Sequence, residues 1–438
     1  MSVATDPVFD ELHPPLDRAA ALLEADRCLE CGGPYAPAPC MVACPAGVDV
    51  AGFIAAIAAD EPIDAAETIF AENLLGATCA RVCPTEVLCE GACVLAEVGR
   101  KPIAIGSLQR YATDQALAAG TPLRQASPWN GRRVAVIGAG PAGLVCAGEL
   151  AALGYHVTVF DEHEEVGGLV RYAIAPYRQV REPLPDEAEA LASIGVDFRL
   201  GTRVDGDELA SIAAQADAVF LAAGMGADAE VMYPGDELPG VWESLRFIER
   251  LKTGKLPSIG RRTVVIGGGN TAIDVAREAL RIGAELVTVV YRRSEAEMPA
   301  YPYEVAEARA EGVRFQFLAD PVRILGYHRT EAVECRRMRL GAPDTSGRRR
   351  PEPLQGSEFI LAADTVVKAI GQQPRRELAD WIAGLELDDA GTVHVAASGQ
   401  TSNPKYFAGG DLVNGGVSAV EAVRDGKRAA CAIDEWLR

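Results

Sequence analysis

Val134-Ala-Val-Ile-Gly-Ala-Gly-Pro-Ala-Gly143 is the stretch that sets the architecture. Its first four residues form a short apolar run that stops at a glycine turn, and a helical pattern follows to Leu153. Gly154 stops that helix, and His156-Val-Thr-Val-Phe160 reads as a second strand ending at Asp161. The arrangement returns 129 residues later. Thr263-Val-Val-Ile266 runs into Gly267-Gly-Gly-Asn-Thr-Ala272, a helix continues to Ile282, Gly283 ends it, and Leu286-Val-Thr-Val-Val290 is the next strand. Strands alternating with helices in two copies predict two doubly wound α/β sheets with parallel strands.

Each glycine loop has a chemical reading. Gly138 makes the tight turn, Gly140 lets the backbone approach a pyrophosphate, and Gly143 lets helix and strand pack closely. The following helix offers free N–H groups and the positive end of its dipole to phosphate. Asp161 then stands where a ribose hydroxyl would need an acceptor. The second loop, Gly267, Gly269 and Ala272, is the alanine variant, and its second strand ends in Arg292-Arg293 instead of an acid. Guanidinium groups there suit a ribose 2′-phosphate, which favours NADP over NAD, although Glu295 and Glu297 follow closely and two solvated arginines are the plainer alternative.

Two dinucleotide sites in one chain point to a flavoprotein that exchanges hydride with a nicotinamide cofactor. Val219-Phe-Leu-Ala-Ala-Gly224 and Val366-Val-Lys-Ala-Ile-Gly371 read as further strands entering glycine turns. Tyr406-Phe-Ala-Gly-Gly-Asp411 is another, and its Asp411 would hold a flavin ribityl hydroxyl. A helix from Val417 would aim its N-terminus at the flavin. The histidines at 13, 156, 163, 328 and 394 show no catalytic spacing, and no Ser-His-Asp or Cys-His pattern occurs. The redox chemistry is therefore left to the flavin, with no catalytic side chain.

Composition narrows the class. The 438 residues are 49% apolar and 24% charged, as in an ordinary globular chain of about three domains. A net charge of −20 repels nucleic acid and anionic membrane. Apolar stretches such as Val50 to Ala59 fall short of the ~20 residues of a membrane span. The N-terminus shows no basic region leading into an apolar one, so a cytoplasmic protein is expected. Arg348-Arg-Arg350 is expected to be a solvated turn.

Eight of the eleven cysteines fall between Cys28 and Cys93. They lie among Ala-rich helical patterns at Pro14–Ala25, Val50–Ala59, Asp64–Asn73 and Ile105–Ala119, with a linker at Gln125–Gly131. Nothing directs the chain to an oxidising compartment, so the block reads as metal-binding. Cys28-x2-Cys31-x8-Cys40-x3-Cys44-Pro45 and Cys79-x3-Cys83-Pro84-x4-Cys89-x3-Cys93 match the ferredoxin style of spacing, in which the last cysteine serves the other cluster, better than paired zinc knuckles. Residues 1–125 are thus expected to form a helical domain with iron–sulfur clusters. Residues 126–240 with 366–438 would form an FAD domain, and 241–365 an inserted NAD(P)H domain.

The order of these parts resembles the glutamate synthase small subunit and the N-terminal half of dihydropyrimidine dehydrogenase. The resemblance rests on Arg27-Cys-Leu-Glu-Cys31, Cys40-Met-Val-Ala-Cys-Pro45, Thr78-Cys-Ala-Arg-Val-Cys-Pro84 and Leu88-Cys-Glu-Gly-Ala-Cys93. It continues in Gly167-Gly-Leu-Val-Arg-Tyr172, Gly267-Gly-Gly-Asn-Thr-Ala-Ile-Asp274 and Gly409-Gly-Asp-Leu-Val-Asn-Gly-Gly416. Ile105-Gly-Ser-Leu-Gln-Arg-Tyr-Ala112 looks closer to the dihydropyrimidine dehydrogenase branch. The resemblance implies one [4Fe–4S] cluster on Cys28, Cys31, Cys40 and Cys93, and a second on Cys44, Cys83, Cys89 and Gln109, with Cys79 a bystander. It implies flavin contact at Gly168 and nicotinamide contact at Asn270 and Thr271. Three positions depart from the family: the long Cys31–Cys40 loop, Ala173 in place of glycine, and Glu295 in place of a basic residue, which leaves NADH open as a donor beside NADPH. The implied activity is electron input from NAD(P)H through FAD and two clusters to a second subunit. That subunit is expected to be an FMN-containing barrel of the dihydropyrimidine dehydrogenase type, with a glutamate synthase large subunit as the alternative. An electron-transfer module without nicotinamide chemistry is the competing class, and the intact Gly267, Gly269 and Ala272 speak against it.

Overall fold

A computed structural model describes residues 11, 14–33, 36–344 and 347–438; His13 lies outside the described residues. The chain divides into two compact units. One gathers Glu11, 172–180 and 226–373; the other takes 12–171 with 181–225 and 374–438.

In the larger unit, a five-stranded sheet carries the first glycine loop. Its order is Tyr406–Ala408, Ala218–Leu221, Arg133–Ile137, His156–Phe160 and Val196–Arg199. All four pairings are parallel, with Val136 level with Val159 and Phe220, so every strand ends at one edge. The helices Pro141–Ala152 and Ala419–Leu437 pack together behind it. Gly426 permits this contact, because a Cβ there would meet the Ala142 carbonyl oxygen at 2.2 Å.

The cysteine region shares this unit instead of standing alone. Its longer helices are Arg18–Ala25, Val50–Ala58, Pro62–Glu72, Gly76–Val82 and Ile105–Ala118, around Phe53, Ile57, Ile69, Phe70 and Leu108. The first begins four residues later than periodicity predicts, because the Asp17 side chain accepts the Ala20 N–H at 2.8 Å and sets the start. Gly76–Val82 packs on Leu184–Ser193 and on Ala419–Leu437, which ties the region to the five-stranded sheet.

The second unit holds a matching parallel sheet in the order Val241–Glu243, Thr365–Lys368, Arg262–Ile266, Leu286–Tyr291 and Arg314–Phe317. The expected borders at 240/241 and 365/366 move outward to 225/226 and 373/374. The two connecting segments pair with each other, through the Asp228–Gln372 bridge and the Gly226 N–H on the Gln373 carbonyl at 2.7 Å. Residues 172–180, expected with the flavin sheet, also join this unit. Tyr177 is buried with its hydroxyl on Asp274, and the Arg277 and Arg281 guanidiniums lie 4.6 and 4.5 Å from its ring centre.

An antiparallel sheet of Arg349–Pro353, Ala332–Pro343, Phe359–Ala362 and Ala319–Leu325 completes the unit. It was not expected from the sequence, since its arginines (336, 337, 339) mask the alternation of Val333, Cys335 and Met338. Arg348-Arg-Arg350 accordingly enters a hairpin strand that begins at Arg349 and is not a free turn. Among the described residues, no helix is long and apolar enough to cross a membrane.

Candidate functional site

The first glycine loop has the geometry of a phosphate cradle. Gly138 takes φ +111°, and a Cβ there would meet the Ala222 carbonyl oxygen at 2.3 Å; one at Gly143 would meet the Gly138 oxygen at 1.9 Å. At Gly140, by contrast, a Cβ would find nothing within 4 Å. The loop is therefore closed where it packs and open where a pyrophosphate would lie, at the start of the helix Pro141–Ala152. Gly168 backs onto it, 3.1 Å from the Gly140 Cα for a built Cβ, and the Gly167 N–H donates to the Ala139 carbonyl at 2.8 Å.

Asp161 ends its strand as expected, but its carboxylate is already engaged. It accepts the Ala139 N–H at 2.7 Å and the His163 N–H at 2.8 Å, with the His163 Nδ1 at 3.0 Å. Burial pushes its carboxyl up, and these hydrogen bonds outweigh burial and hold it below the usual carboxylate range. It fixes the glycine loop and keeps lone pairs for a ribose hydroxyl.

Asp411 opens the short helix Asp411–Asn414, just after Tyr406–Ala408. Burial, and then the nearby charge of Asp425, pushes its carboxyl up to about 6. Asp425 is 2% exposed and accepts the Gly410 N–H at 3.1 Å, with Arg424 at 3.1 Å and Arg428 at 3.3 Å. Sequence reading missed Asp425, which lies inside a helix with nothing to mark it. The helix expected from Val417 begins at Ala419, because the Ser418 side chain caps it on the Glu421 N–H; Val417 is outside it and exposed.

In the second unit, a Cβ at Gly267 would meet the Ala369 carbonyl oxygen at 2.0 Å, while nothing lies within 4 Å at Gly269. The same closed-then-open pattern recurs beneath the helix Asn270–Arg281, which also carries Thr271 and the buried Ala272. The Asn270 Oδ1 accepts the Tyr301 N–H at 2.9 Å, so this side chain braces the loop. The arginine pair divides. Arg293 is buried, with Nη2 on Asp344 at 2.7 Å and Nε on the Arg349 carbonyl at 2.8 Å, whereas Arg292 is exposed. The 2′-phosphate expectation thus falls on Arg292 alone. Glu295 is neutralised by Arg309, at 2.7 Å to both carboxylate oxygens.

The thiols fall into two groups. Cys28, Cys31, Cys40 and Cys93 line one small cavity with Leu29, Ile54 and Ile103. Burial pushes the Cys40 thiol up to about 11, and Cys28 and Cys93 act on it in the same direction. In the second group a hydrogen bond to Cys79 and burial hold Cys83 far above its usual value, and Cys89 and Cys44 act on it in the same direction. Among the described residues, no group of three or more His, Cys, Asp or Glu is arranged to hold a single metal ion. The first group surrounds a cavity, and its soft donors suit an iron–sulfur cage, which would draw the thiols to thiolates. Gln109 donates its Nε2 to the Gly76 carbonyl at 2.7 Å, beside the helix that contains Cys79.

Residues 132–426 match the pyridine nucleotide-disulphide oxidoreductase family. The chain belongs to that family. Residues 5–121 match the 4Fe–4S cluster domain II of dihydropyrimidine dehydrogenase. The chain is 39% identical to the glutamate synthase [NADPH] small chain of Halomonas elongata, over 98% of this chain and 93% of that one. It is 38% identical to the protein of the same name from Escherichia coli K12, over 98% and 94%. The fold is shared with Mycobacterium tuberculosis FprA in complex with NADPH, at TM-score 0.57 and 21% identity over 71% of this chain and 85% of that one. Thioredoxin reductase of T. acidophilum has TM-score 0.53 and 20% identity over 69% and 98%. This member of the family is therefore a pyridine-nucleotide-dependent oxidoreductase of the flavin class, with a 4Fe–4S domain in its N-terminal part.

Proposed function

We propose that this chain is the electron-input subunit of a glutamate synthase type enzyme, fed by NADPH and delivering electrons to a partner subunit. The observation that carries the reading is the pair of open cradles at Gly140 and Gly269 in a chain that also gathers two groups of thiols. Gly138, Gly140, Gly143, Gly168 and Asp411 would hold FAD. Gly267, Gly269, Ala272 and Arg292 would hold NADPH. Cys28, Cys31, Cys40 and Cys93 would hold one [4Fe–4S] cluster, and Cys44, Cys83, Cys89 and Gln109 the other. Bound there, FAD supplies the conversion of a hydride into single electrons, and the clusters supply one-electron carriage.

A glutamate synthase large subunit is the preferred partner, ahead of an FMN barrel of the dihydropyrimidine dehydrogenase type, because the two small-chain relatives align over nearly their whole length. The donor implies a cytoplasmic enzyme. The test is reconstitution under anaerobic conditions. NADPH should bleach the flavin of the isolated chain, and adding a glutamate synthase large subunit should bring glutamine-dependent NADPH oxidation. Bleaching without any gain from that subunit would redirect the partner assignment, and no bleaching with either nicotinamide would leave only an electron-transfer module.

A further inference from the structure

One side chain joins the flavin sheet to the second thiol group. Glu187 belongs to the helix Leu184–Ser193 and is fully buried. Its carboxylate accepts the Ala77 N–H at 3.0 Å, the Thr78 N–H at 3.0 Å and the Thr78 hydroxyl. These three donors form the first turn of Gly76–Val82, the helix that contains Cys79 and hands over to Cys83. One residue earlier, the Gly76 carbonyl accepts the Gln109 Nε2 at 2.7 Å. A carboxamide has a donor end and an acceptor end, so a bond to a carbonyl oxygen fixes which way Gln109 faces. Its NH2 is turned to Gly76, and its Oε1, the end able to ligate iron, is turned away from it.

The chain of contacts thus runs from a flavin-sheet helix through Glu187 to a single turn, and from that turn to Gln109. We propose that Glu187 is a positioning residue for the second cluster: it holds the Gly76–Thr78 turn so that Gly76 orients Gln109 and the helix delivers Cys83. This rests on the two-cluster reading above. Nothing in the spacing of the cysteines points to position 187, which is 109 residues from Thr78.

The holoprotein, purified anaerobically, tests this by iron content and by redox titration followed by electron paramagnetic resonance. Glu187→Gln keeps one oxygen for the Ala77 and Thr78 N–H groups, turns an NH2 to the Thr78 hydroxyl so that the third bond reverses, and removes the carboxylate's charge; Thr78→Val loses only the hydroxyl bond. Both variants should keep FAD and the wild-type iron, and should shift the midpoint potential of one cluster while the other stays in place. The shifted cluster should be the one altered by Gln109→Cys, and Glu187→Gln should shift it further than Thr78→Val. If Glu187→Gln does not fold, Thr78→Val carries the test by itself. Titrations that superimpose on wild type, with only a loss of thermal stability, would reduce Glu187 to a structural tether and overturn the proposal. Iron-free wild-type protein would instead remove the two-cluster reading on which it stands, and Gln109→Ala without effect on either cluster would overturn the part of the proposal that runs through Gln109.

Discussion

Arg292 and Arg293 are neighbours in sequence with opposite surroundings, and single substitutions should separate them. Arg292→Ala removes an exposed guanidinium just after the end of Leu286–Tyr291 and breaks no hydrogen bond among the described residues. A charge-assisted phosphate contact is worth ~1.5–3 kcal/mol, so the KM for NADPH should rise by roughly tenfold to 150-fold. The KM for NADH should hardly move. Arg293→Ala acts on the fold. The Arg293 side chain is 7% exposed and Asp344 21%, so the change takes a guanidinium from a largely buried carboxylate and breaks the bond to the Arg349 carbonyl. A loss of about 3 kcal/mol in unfolding free energy is expected, with similar KM changes for both nicotinamides. Steady-state kinetics with each donor, beside urea unfolding of each variant, reads both quantities. The reasoning fails if Arg293→Ala is the variant that discriminates against NADPH while its urea midpoint matches wild type.

The loaded protein should contain about eight irons per FAD, and Cys28→Ala or Cys44→Ala should each remove four by metal analysis; zinc in place of iron would refute the cluster assignment. Cys79→Ala should leave the iron content intact, whereas Gln109→Ala should lower it or alter one cluster's spectrum; the reverse result would make Cys79 the ligand. Gly140→Val should abolish FAD binding and preserve the fold, since the added atoms enter open space, and a variant retaining stoichiometric flavin would contradict the cradle. Glu278 is buried, which pushes its carboxyl up to about 7 from 4.5 against the weaker pull of Arg281. Its stabilising neutral form is fully present below pH 4.5 and is lost as pH rises through 7. Glu278→Gln should therefore match wild type below about pH 4 and exceed it at pH 8 by up to ~3 kcal/mol; parallel pH profiles would refute this.

The parts of the molecule written in local pattern were legible in the sequence. Val134–Gly143 and its repeat at Thr263–Ala272 each place strand, turn and helix within a few residues, so backbone sterics alone dictate the cradle. The grouping of Cys28, Cys31 and Cys40 with the distant Cys93 was reached through resemblance, and the cavity gathers the same four. What stayed hidden depends on contacts across the chain. Arg293 looked like a phosphate ligand because Asp344, its partner, is 51 residues away. Asp425 and Glu187 sit inside ordinary helical patterns, and only the fold reveals what they face. Tyr177 was placed with the flavin sheet because it follows Gly167-Gly168 in sequence, but burial against Asp274 and Arg277 decided otherwise.

The cavity that brings Cys93 against Cys28, Cys31 and Cys40 also has a consequence for assembly and decay. A cluster held there as proposed would close a loop of about fifty residues, and a cross-link of that span removes roughly 4 kcal/mol of unfolded-chain entropy. Such a cage could not be completed before Cys93 has emerged from the ribosome, so its iron would wait for a polypeptide already long enough to pack its first helices. Oxidative loss of the same cage would slacken both ends of the loop at once. Oxygen damage should therefore surface as new protease cuts between Cys28 and Cys93, turning a redox injury into a signal for turnover of the chain.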